Sequence, residues 1–324
     1  MRLFTKQKLW FSLCLLILLG CHKEEWAPAT VVAIITHTSQ DLRAVHVFEN
    51  GRILVTGGYL YAFAFNMDSY DDGMTWNHQL GFGLDMEMDM HLDEYGKGLA
   101  CDFKGHVYHT ENEGYNWTLV GKTDSVYRLK DVFYLDEKTW FASGAEAFET
   151  GMFGRTTDGG AHWQWHSYPY DIQRIYFFDE NKGFACGYGS LKKTNDGGNS
   201  WTELDVKGDN FVDVMFVNNE IGYLLGYNGV FYKTLDGGKN WKKNENINHF
   251  LKGKHRFRKM AYFDAFRLMV VGDEGIVAYS NDAGNSWMRV KTETTENLYN
   301  LETVGKNKAF CVGNNGTMLK IFVQ

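Results

Sequence analysis

One eight-residue phrase recurs six times in this chain of 324 residues. Its pattern is Ser/Thr-x-Asp/Asn-x-Gly-x-x-Trp, and successive copies begin 38 to 46 residues apart. A repeat of about 40 residues in a chain rich in aromatic residues and short apolar runs is typical of a propeller or another array of small sheets. The six copies begin at Ser69, Thr110, Thr156, Thr194, Thr234 and Ser280.

Each copy predicts a tight turn between two strands. The Gly can take a positive φ without steric conflict, and the Asp or Asn can accept hydrogen bonds from backbone N–H groups of its own turn. The Trp then enters the next strand and can bury its ring against a neighbouring sheet. Because all six acceptors belong to a repeated element, we expect them to be structural rather than catalytic or metal-binding. They are Asp71, Asn112, Asp158, Asp196, Asp236 and Asp282.

The phrase resembles the Asp-box, also called the bacterial neuraminidase repeat. The longer unit around it is similar to the photosystem II stability/assembly-factor propellers, over about residues 40–322. This resemblance implies an all-β propeller with Asp-box turns. It implies less about the role. The N-terminal signals described below indicate a surface lipoprotein outside photosynthesis, and such a protein does not meet a photosystem.

The number of blades follows from the strand runs between the boxes. After the sixth box three further runs, residues 300–304, 309–313 and 318–322, are followed by no box. The isolated β-branched run Val31–Ile35 can supply the missing fourth strand and remove the open sheet edges. The sequence therefore predicts a seven-bladed β-propeller closed by its N-terminal strand. Six blades, with the last segment packed on a rim, is the alternative.

The N-terminus has the pattern of a lipoprotein signal. Three cations within residues 1–8 precede the apolar run Leu9–Leu19, and Leu18-Leu19-Gly20-Cys21 resembles the bacterial lipobox. The resemblance implies cleavage before Cys21 and diacylation of its thiol, which gives stable membrane attachment. An ordinary signal peptide is the alternative. The predicted organisation is a signal peptide at 1–20, a lipidated tether at 21–30 and the propeller at 31–324.

The tether carries a second signal. Lys23, Glu24 and Glu25 follow the lipidated residue and resemble the surface-export signal of lipoproteins in Bacteroidota-type bacteria. A charged, solvated tether is the alternative. We therefore expect a lipid-anchored protein of the bacterial outer membrane that faces the cell surface.

The charge balance argues against nucleic-acid binding. The formal charge is −7, and removal of the leader with Arg2, Lys6 and Lys8 brings it to about −10. An acidic surface repels phosphate backbones. The run Lys252–Lys259, which contains Arg256 and Arg258, is the local exception and suits an acidic partner or lipid head groups; a solvated loop is the alternative.

The inner strands of a propeller line its central channel, so the residues that open these strands are candidates for binding. Their mixed charges suit a polar ligand or a loop of a partner protein, or they pair with one another around trapped water. The residues are Ala44, Met88, Asp131, Arg174, Asp213, Lys259 and Asn300.

No catalytic residue, metal site or cofactor is predicted. Sialidases share Asp-boxes but carry a Phe/Tyr-Arg-Ile-Pro phrase, and neither proline here, Pro28 or Pro169, follows Arg-Ile. Paired carboxylates can hydrolyse glycosides, and the densest acidic cluster is Asp85, Glu87 and Asp89, although it fits an acidic strand face equally well. The cysteines Cys101, Cys186 and Cys311 fall in separate units and are predicted to be free, buried thiols.

The sequence favours a non-catalytic surface lipoprotein whose propeller binds other proteins, as a scaffold or assembly subunit of an outer-membrane complex. The alternative is a propeller lipoprotein that binds glycans or acts as a glycoside hydrolase.

Overall fold

The structure, a computed structural model, describes residues 25–59, 63–83, 85–123, 128–146 and 150–324. These residues contain 28 strands in seven four-stranded antiparallel sheets. The predicted leader, together with Cys21, Lys23 and Glu24, lies outside the described residues. Within the described ranges, no helix combines the length and the apolar character needed to cross a membrane.

The first six blades each run in chain order from the innermost to the outermost strand. Blade 1 contains β2 (Asp41–Val47), β3 (Ile53–Tyr59), β4 (Phe63–Ser69) and β5 (Asn77–Leu80). Blade 2 contains β6 (Glu87–Leu92), β7 (Gly98–Asp102), β8 (His106–Thr110) and β9 (Thr118–Lys122). Blade 3 contains β10 (Arg128–Tyr134), β11 (Trp140–Glu146), β12 (Thr150–Thr156) and β13 (Gln164–Tyr168).

The next three blades repeat this order. Blade 4 contains β14 (Arg174–Phe177), β15 (Gly183–Gly187), β16 (Ser190–Thr194) and β17 (Thr202–Glu203). Blade 5 contains β18 (Phe211–Phe216), β19 (Gly222–Gly226), β20 (Phe231–Thr234) and β21 (Lys242–Lys243). Blade 6 contains β22 (Phe257–Tyr262), β23 (Leu268–Gly272), β24 (Val277–Ser280) and β25 (Met288–Arg289). A short helix, α1 (Ile247–Leu251), lies between blades 5 and 6, and a 3₁₀ turn at Asp273–Gly275 follows β23.

Blade 7 is built from both ends of the described chain. Its inner strands are β26 (Leu298–Val304), β27 (Lys308–Gly313) and β28 (Met318–Val323), and its outermost strand is β1 (Ala29–Ile34). β1 is antiparallel to β28, with Ala29 opposite Val323 and Ile34 opposite Met318. The predicted seven-bladed propeller and its closure by an N-terminal strand are confirmed, and the six-bladed alternative is wrong.

The disc has two distinct faces. The boxes and the turns between the first two strands of each blade lie on one face, which we call the box face. Backbone hydrogen bonds join these two kinds of turn: the amide of Ala283 donates to the carbonyl of Phe266 (2.7 Å), and that of Gly197 to the carbonyl of Asn181 (2.9 Å). The opposite face, which we call the mouth face, carries the turns between the second and third strands and the links between blades.

Hydrogen bonds within each box explain its residue types. In the sixth box, Asp282 Oδ1 accepts from Ser280 Oγ at 2.9 Å and from the amide of Ser286 at 2.9 Å, while the amide of Gly284 donates to Ser280 Oγ at 2.9 Å. The residue before the box glycine also has positive φ, 59° at Ala283. The turn is thus held by the side chains of Ser280 and Asp282, which lie four and two residues before the box glycine.

Aromatic packing joins adjacent blades. The ring of the box residue Trp201 in blade 4 meets Phe153 of blade 3 edge-on, with centroids 5.4 Å apart, and Trp287 of blade 6 meets Phe231 of blade 5 at 5.3 Å. A Cβ on Gly198 would collide with the Phe153 ring, so the glycine also permits this close approach. The three thiols Cys101, Cys186 and Cys311 are free and buried, as predicted.

Candidate functional site

A ring of six polar side chains and one alanine narrows the channel at the axis of the disc. In six of the inner strands a β-bulge precedes the residue that faces the axis, for example between Glu87 and Asp89 in β6 and between Leu129 and Asp131 in β10. We call this ring the waist. Its members are Ala44, Asp89, Asp131, Arg174, Asp213, Lys259 and Asn300.

The waist corrects one residue of the sequence-based ring. Asp89, and not the predicted Met88, faces the other members, because the bulge in β6 shifts the register by one position. Met88 instead lies in the wall of the opening on the mouth face.

Ion pairs and backbone contacts in the waist join the blades. Arg174 Nη1 lies 2.8 Å from Asp89 Oδ2 and 2.8 Å from Asp131 Oδ1, so one guanidinium binds two carboxylates from other blades. Asp131 Oδ2 also accepts from the amide of Ile175 in blade 4 at 2.7 Å.

Asp213 links blades 5 and 6 in the way that Asp131 links blades 3 and 4. Its Oδ2 accepts from the amide of Met260 in blade 6 at 2.9 Å, and its Oδ1 lies 3.4 Å from Lys259 Nζ. The charged members of the waist therefore link the blades through ion pairs and hydrogen bonds.

The waist carries three carboxylates and two cations. Burial raises the pKa of Asp131 to about 7, against the influence of Arg174. Burial also acts to raise the pKa of Asp89, but Arg174 and then Lys259 outweigh it, and the net direction is below the ordinary value.

The channel opens on the mouth face into a cavity of about 570 Å³, which we call the basic mouth. Four cations line it: Arg43, Lys130, Arg174 and Arg258. Among the described residues, no Asp or Glu contributes to its wall, and Tyr227 and Tyr299 supply aromatic surface. Arg43, Lys130 and Arg258 immediately precede waist positions on bulged strands, whereas Arg174 itself belongs to the waist, on the inner strand β14, which has no bulge.

Carboxylates behind the wall hold these cations in place. Arg43 Nη2 lies 2.9 Å from Asp41 Oδ2, and Lys130 Nζ lies 3.2 Å from Asp171 Oδ1. Arg258 pairs with Asp273.

Tyr299 lies between two of the guanidinium groups. The guanidinium carbons of Arg43 and Arg258 are 4.0 Å and 5.2 Å from the centroid of its ring. Cation–π contact of this kind restricts the rotamers of the arginines and leaves their N–H groups as donors for an incoming anion.

The predicted basic run extends this surface. Lys254, His255 and Arg256 line a second cavity of about 380 Å³ together with Asp273, Glu274 and Asn297. The guanidinium carbon of Arg256 lies 5.7 Å from the centroid of the Tyr227 ring, and Phe257 is buried. The structure thus brings Arg256 and Arg258 to the mouth, whereas Asp131, Asp213 and Lys259 lie in the waist below it.

The opening on the box face is different in character. Its cavity of about 310 Å³ is lined by residues that include His46, His91, Phe133, Tyr176 and Glu302. His46 Nδ1 lies 3.3 Å from Glu302 Oε1. Burial lowers the pKa of His91 to about 4, and its Nδ1 accepts from the amide of Tyr134 at 2.9 Å.

The acidic cluster noted in the sequence does not form a pair of facing carboxylates. Asp89 faces the axis, whereas Glu87 is buried under blade 1, where its Oε2 accepts from the amide of Phe65 at 3.1 Å. Asp85 Oδ1 lies 2.7 Å from the ammonium group of Lys104. The three carboxylates are thus engaged separately.

A different cluster was not foreseen from the sequence. Donor atoms of Asp85, Asp102 and His106 lie within 4.8 Å of one another. Asp102 Oδ2 is 2.7 Å from His106 Nδ1 and accepts from Tyr108 Oη at 3.0 Å, so its oxygen is already hydrogen-bonded.

The C-terminal part of the chain matches a known protein family. Residues 193–295 and 252–322 match the family model described as photosynthesis system II assembly factor YCF48. The chain is 27% identical over 124 residues to the photosystem II assembly lipoprotein Ycf48 of Synechococcus sp. strain CC9902, covering 37% of this chain and 36% of that one. It is 30% identical over 174 residues to the protein of that name from Trichormus variabilis, covering 50% of each.

The predicted resemblance to this family is confirmed. The matched segments span about half the length of these relatives, or less.

Solved structures agree on the fold across almost the whole chain. YCF48 bound to D1 peptide has a TM-score of 0.68 at 15% identity and covers 92% of this chain and 98% of that one. YCF48 from Cyanidioschyzon merolae has a TM-score of 0.70 at 14% identity, with coverages of 90% and 98%. A virginiamycin B lyase from Staphylococcus aureus reaches 0.72 at 9% identity, with coverages of 91% and 100%, so the architecture is shared with proteins of other activities.

Proposed function

We propose that this protein is a non-catalytic scaffold that binds an acidic segment of a partner protein in the basic mouth, while a diacylated Cys21 anchors it to the bacterial outer membrane. The observation that carries the proposal is the wall of the basic mouth, which has four cations and no carboxylate among the described residues, in a chain of net charge −7. Such a cavity favours an anion over a neutral or cationic ligand.

The geometry suits a peptide better than a small anion. Tyr227 lines the cavity of about 570 Å³, and its ring centroid lies 5.7 Å from the guanidinium carbon of Arg256, which lines the second cavity on this face. An extended acidic segment can place successive carboxylates against guanidinium groups that are held by Asp41 and Asp273.

The relatives support a role in assembly. Two of them are named photosystem II assembly lipoproteins, and one of the similar structures is titled as bound to a D1 peptide. We propose the same kind of task here, with a different partner in an outer-membrane complex. The Lys23-Glu24-Glu25 signal supports exposure of the propeller at the cell surface.

Binding of a fluorescein-labelled acidic decapeptide tests the mouth directly. The wild-type protein is expected to bind a Glu/Asp-rich peptide but not its Gln/Asn counterpart, and high salt should weaken the complex. The double substitution Arg43→Gln/Arg258→Gln should reduce affinity by at least about tenfold, which corresponds to ~1.4 kcal/mol. His162→Gln, on the box face, is the matched control and should bind as wild type.

Affinity purification from detergent-solubilised outer membrane then identifies the partner. A protein that is retained by wild type and by His162→Gln, but lost from the double variant, supports the proposal. Recovery of the propeller alone, together with binding of a defined glycan on an array, would replace it with the glycan-binding alternative.

A further inference from the structure

The N-terminal segment reaches the propeller on the box face. The amide of Ala27 donates to the carbonyl of Arg289 at 2.8 Å, and the amide of Arg289 donates to the carbonyl of Glu25 at 2.8 Å. Arg289 lies two residues after the box residue Trp287, at the box-face end of the outer strand of blade 6. The chain therefore joins the disc at its rim, between blades 6 and 7.

Contacts of the following residues agree with this position. The amide of Gln324 donates to the carbonyl of Pro28 at 3.1 Å, and the amide of Val323 donates to the carbonyl of Asn307 at 2.9 Å. Asn307 belongs to the turn between the first two strands of blade 7, which is a box-face turn. Both ends of the described chain thus meet at one point on this face.

Only a short length of chain separates this point from the predicted anchor. Cys21 precedes Glu25 by four residues, and four residues span at most about 14 Å when fully extended. If Cys21 is diacylated as proposed above, the box-face rim at blades 6 and 7 lies close to the lipid head groups. This inference rests on that part of the proposed function.

Exposed apolar side chains are concentrated on the same side of the disc. On the box face, Met74 of blade 1 is 76% exposed, Tyr95 of blade 2 is 74%, Leu235 of blade 5 is 64% and Phe266 of blade 6 is 66%. These blades flank blade 7, where the chain enters. Exposed apolar side chains around the point where the chain enters can insert into the head-group region of a bilayer to which the protein is anchored.

The far sector of the box face differs in its exposed apolar side chains, although charged residues such as Glu94 and Glu220 are exposed on the near sector as well. In blades 3 and 4 the boxes and the neighbouring turns display charged and polar groups such as Glu137, His162 and Glu180. Among the described residues of these turns, no large apolar side chain is exposed. The apolar sector and the point where the chain enters thus lie on the same half of the disc.

Residues beside the entry point suit an interface with lipid. Trp26 is half exposed, and the guanidinium carbon of Arg289 lies 5.5 Å from the centroid of its ring. Trp and Arg side chains of this kind favour the head-group region. Exposed lysines on the same sector, Lys239 in blade 5 and Lys306 in blade 7, can reach anionic phosphates.

We propose that the box face of blades 5, 6, 7, 1 and 2 rests on the membrane surface, with the apolar side chains in the head-group region. The disc is tilted so that blades 3 and 4 stand away from the lipid. The basic mouth, on the opposite face, then opens away from the membrane and toward partner proteins.

Fluorescence quenching in vesicles tests this orientation on the full-length, lipidated protein. An environment-sensitive nitrobenzoxadiazole label is attached to single introduced cysteines in Met74→Cys and Phe266→Cys, and in the controls Tyr188→Cys on the mouth face and His162→Cys on the far sector. The buried native thiols Cys101, Cys186 and Cys311 are shielded from the reagent. The vesicles contain phosphatidylethanolamine, phosphatidylglycerol and doxyl-labelled phosphatidylcholine as quencher.

Flotation of the vesicles reports anchoring separately from orientation. Relative to vesicles without the doxyl-labelled lipid, emission from the labels at positions 74 and 266 should fall by about half. Emission from the labels at positions 188 and 162 should not change. A protein that floats with the vesicles but shows no quenching at these two sites, or shows quenching at Tyr188, overturns the orientation and leaves the lipid anchor intact. A protein that does not float overturns the anchor itself, and the orientation with it. Quenching at His162 as well would contradict the tilt.

Discussion

The guanidinium of Arg174 contacts the carboxylate of Asp89, which precedes it by 85 residues, with 2.8 Å between Nη1 and Oδ2. The same nitrogen binds Asp131, so blade 4 is tied to blades 2 and 3 at the axis of the disc. A buried cation between two buried acids is a contact whose removal leaves uncompensated charge, and the disc should depend on it.

Replacement of Arg174 by Met tests this dependence. Loss of the guanidinium leaves Asp89 and Asp131 buried without their main partner, so the free energy of unfolding at pH 7.5 should fall by about 3–5 kcal/mol. The deficit should shrink toward pH 5, because protonation of the orphaned carboxyls removes the repulsion. Urea denaturation followed by tryptophan fluorescence measures both values; a deficit that does not change with pH would contradict the electrostatic account.

Replacement of Glu87 by Gln should stabilise the protein at high pH. Burial raises the pKa of Glu87 well above its ordinary value, so folding takes up a proton, and stability is lost as pH rises from the unfolded pKa toward the folded one. Gln removes this loss, and its amide oxygen can still accept from the amide of Phe65. Unfolding at pH 8 should therefore need more urea in the variant than in wild type, and the gain should disappear near pH 4.5.

Glu203→Gln is the control, because the pKa of Glu203 is shifted in the opposite direction to that of Glu87. The hydrogen bond and charge of Lys192 lower the pKa of Glu203, so this group contributes stability above its unfolded pKa that is lost as pH falls. The variant should gain nothing at pH 8. A gain there equal to that of Glu87→Gln would show that burial is not the cause.

Replacement of Asp282 by Ala should loosen the sixth box. Its carboxylate accepts from the side chains of Ser280 and Ser286 and from backbone amides, and the loss of these bonds should cost about 1–2 kcal/mol of unfolding free energy. Asp282→Asn is the matched control and should lose less, since Asn112 fills this position in the second box and its Oδ1 accepts from the amide of Asn116 at 3.0 Å.

The pH dependence of the same site gives a second measure. Burial acts to raise the pKa of Asp282, but its hydrogen bonds with Ser286 and Ser280 outweigh it, and the net direction is below the ordinary value. The stability that ionised Asp282 contributes is therefore present above its unfolded pKa and is lost as pH falls through its folded pKa. The difference between wild type and Asp282→Ala should therefore narrow in strong acid, as thermal unfolding at several pH values would show.

Closure of the ring can be tested on two neighbouring valines. Val31 faces the cluster between blades 6 and 7, and Asp at this position should cost about 2–3 kcal/mol because a charge would be buried beside apolar side chains. Val32 is 42% exposed on the other side of the same strand, and Val32→Asp should cost far less. Equal losses in the two variants would mean that β1 does not pack as described.

The fold was predictable because its information is local and repeated. Each box contains its own hydrogen-bond acceptor, its own glycine and its own packing ring, so the six boxes indicate six blades, and the strand runs after the last box indicate the seventh. The strand Val31–Ile35 could be assigned because blade 7 lacked one strand, and the structure places that strand at Ala29–Ile34. The small offset reflects pairing with β28, which the sequence alone does not define.

The basic mouth was harder to recognise for a physical reason. Arg43, Lys130 and Tyr299 come from three different blades and carry no shared motif. They converge only because bulges in the inner strands turn the residue before each waist position toward the mouth face. The same bulges moved the ring position from Met88 to Asp89. Arg256 and Arg258 are recognisable from the sequence alone because they lie two positions apart in one basic run.

The pairing of β1 with β28 also constrains how the protein can be made. Among the described strands, β1 pairs only with β28, so a chain that lacks β28 leaves the edge of β1 unpaired. The unpaired edge of β1 in such a chain favours edge-to-edge association, so integrity of the ring depends on residues about 290 positions apart in the sequence.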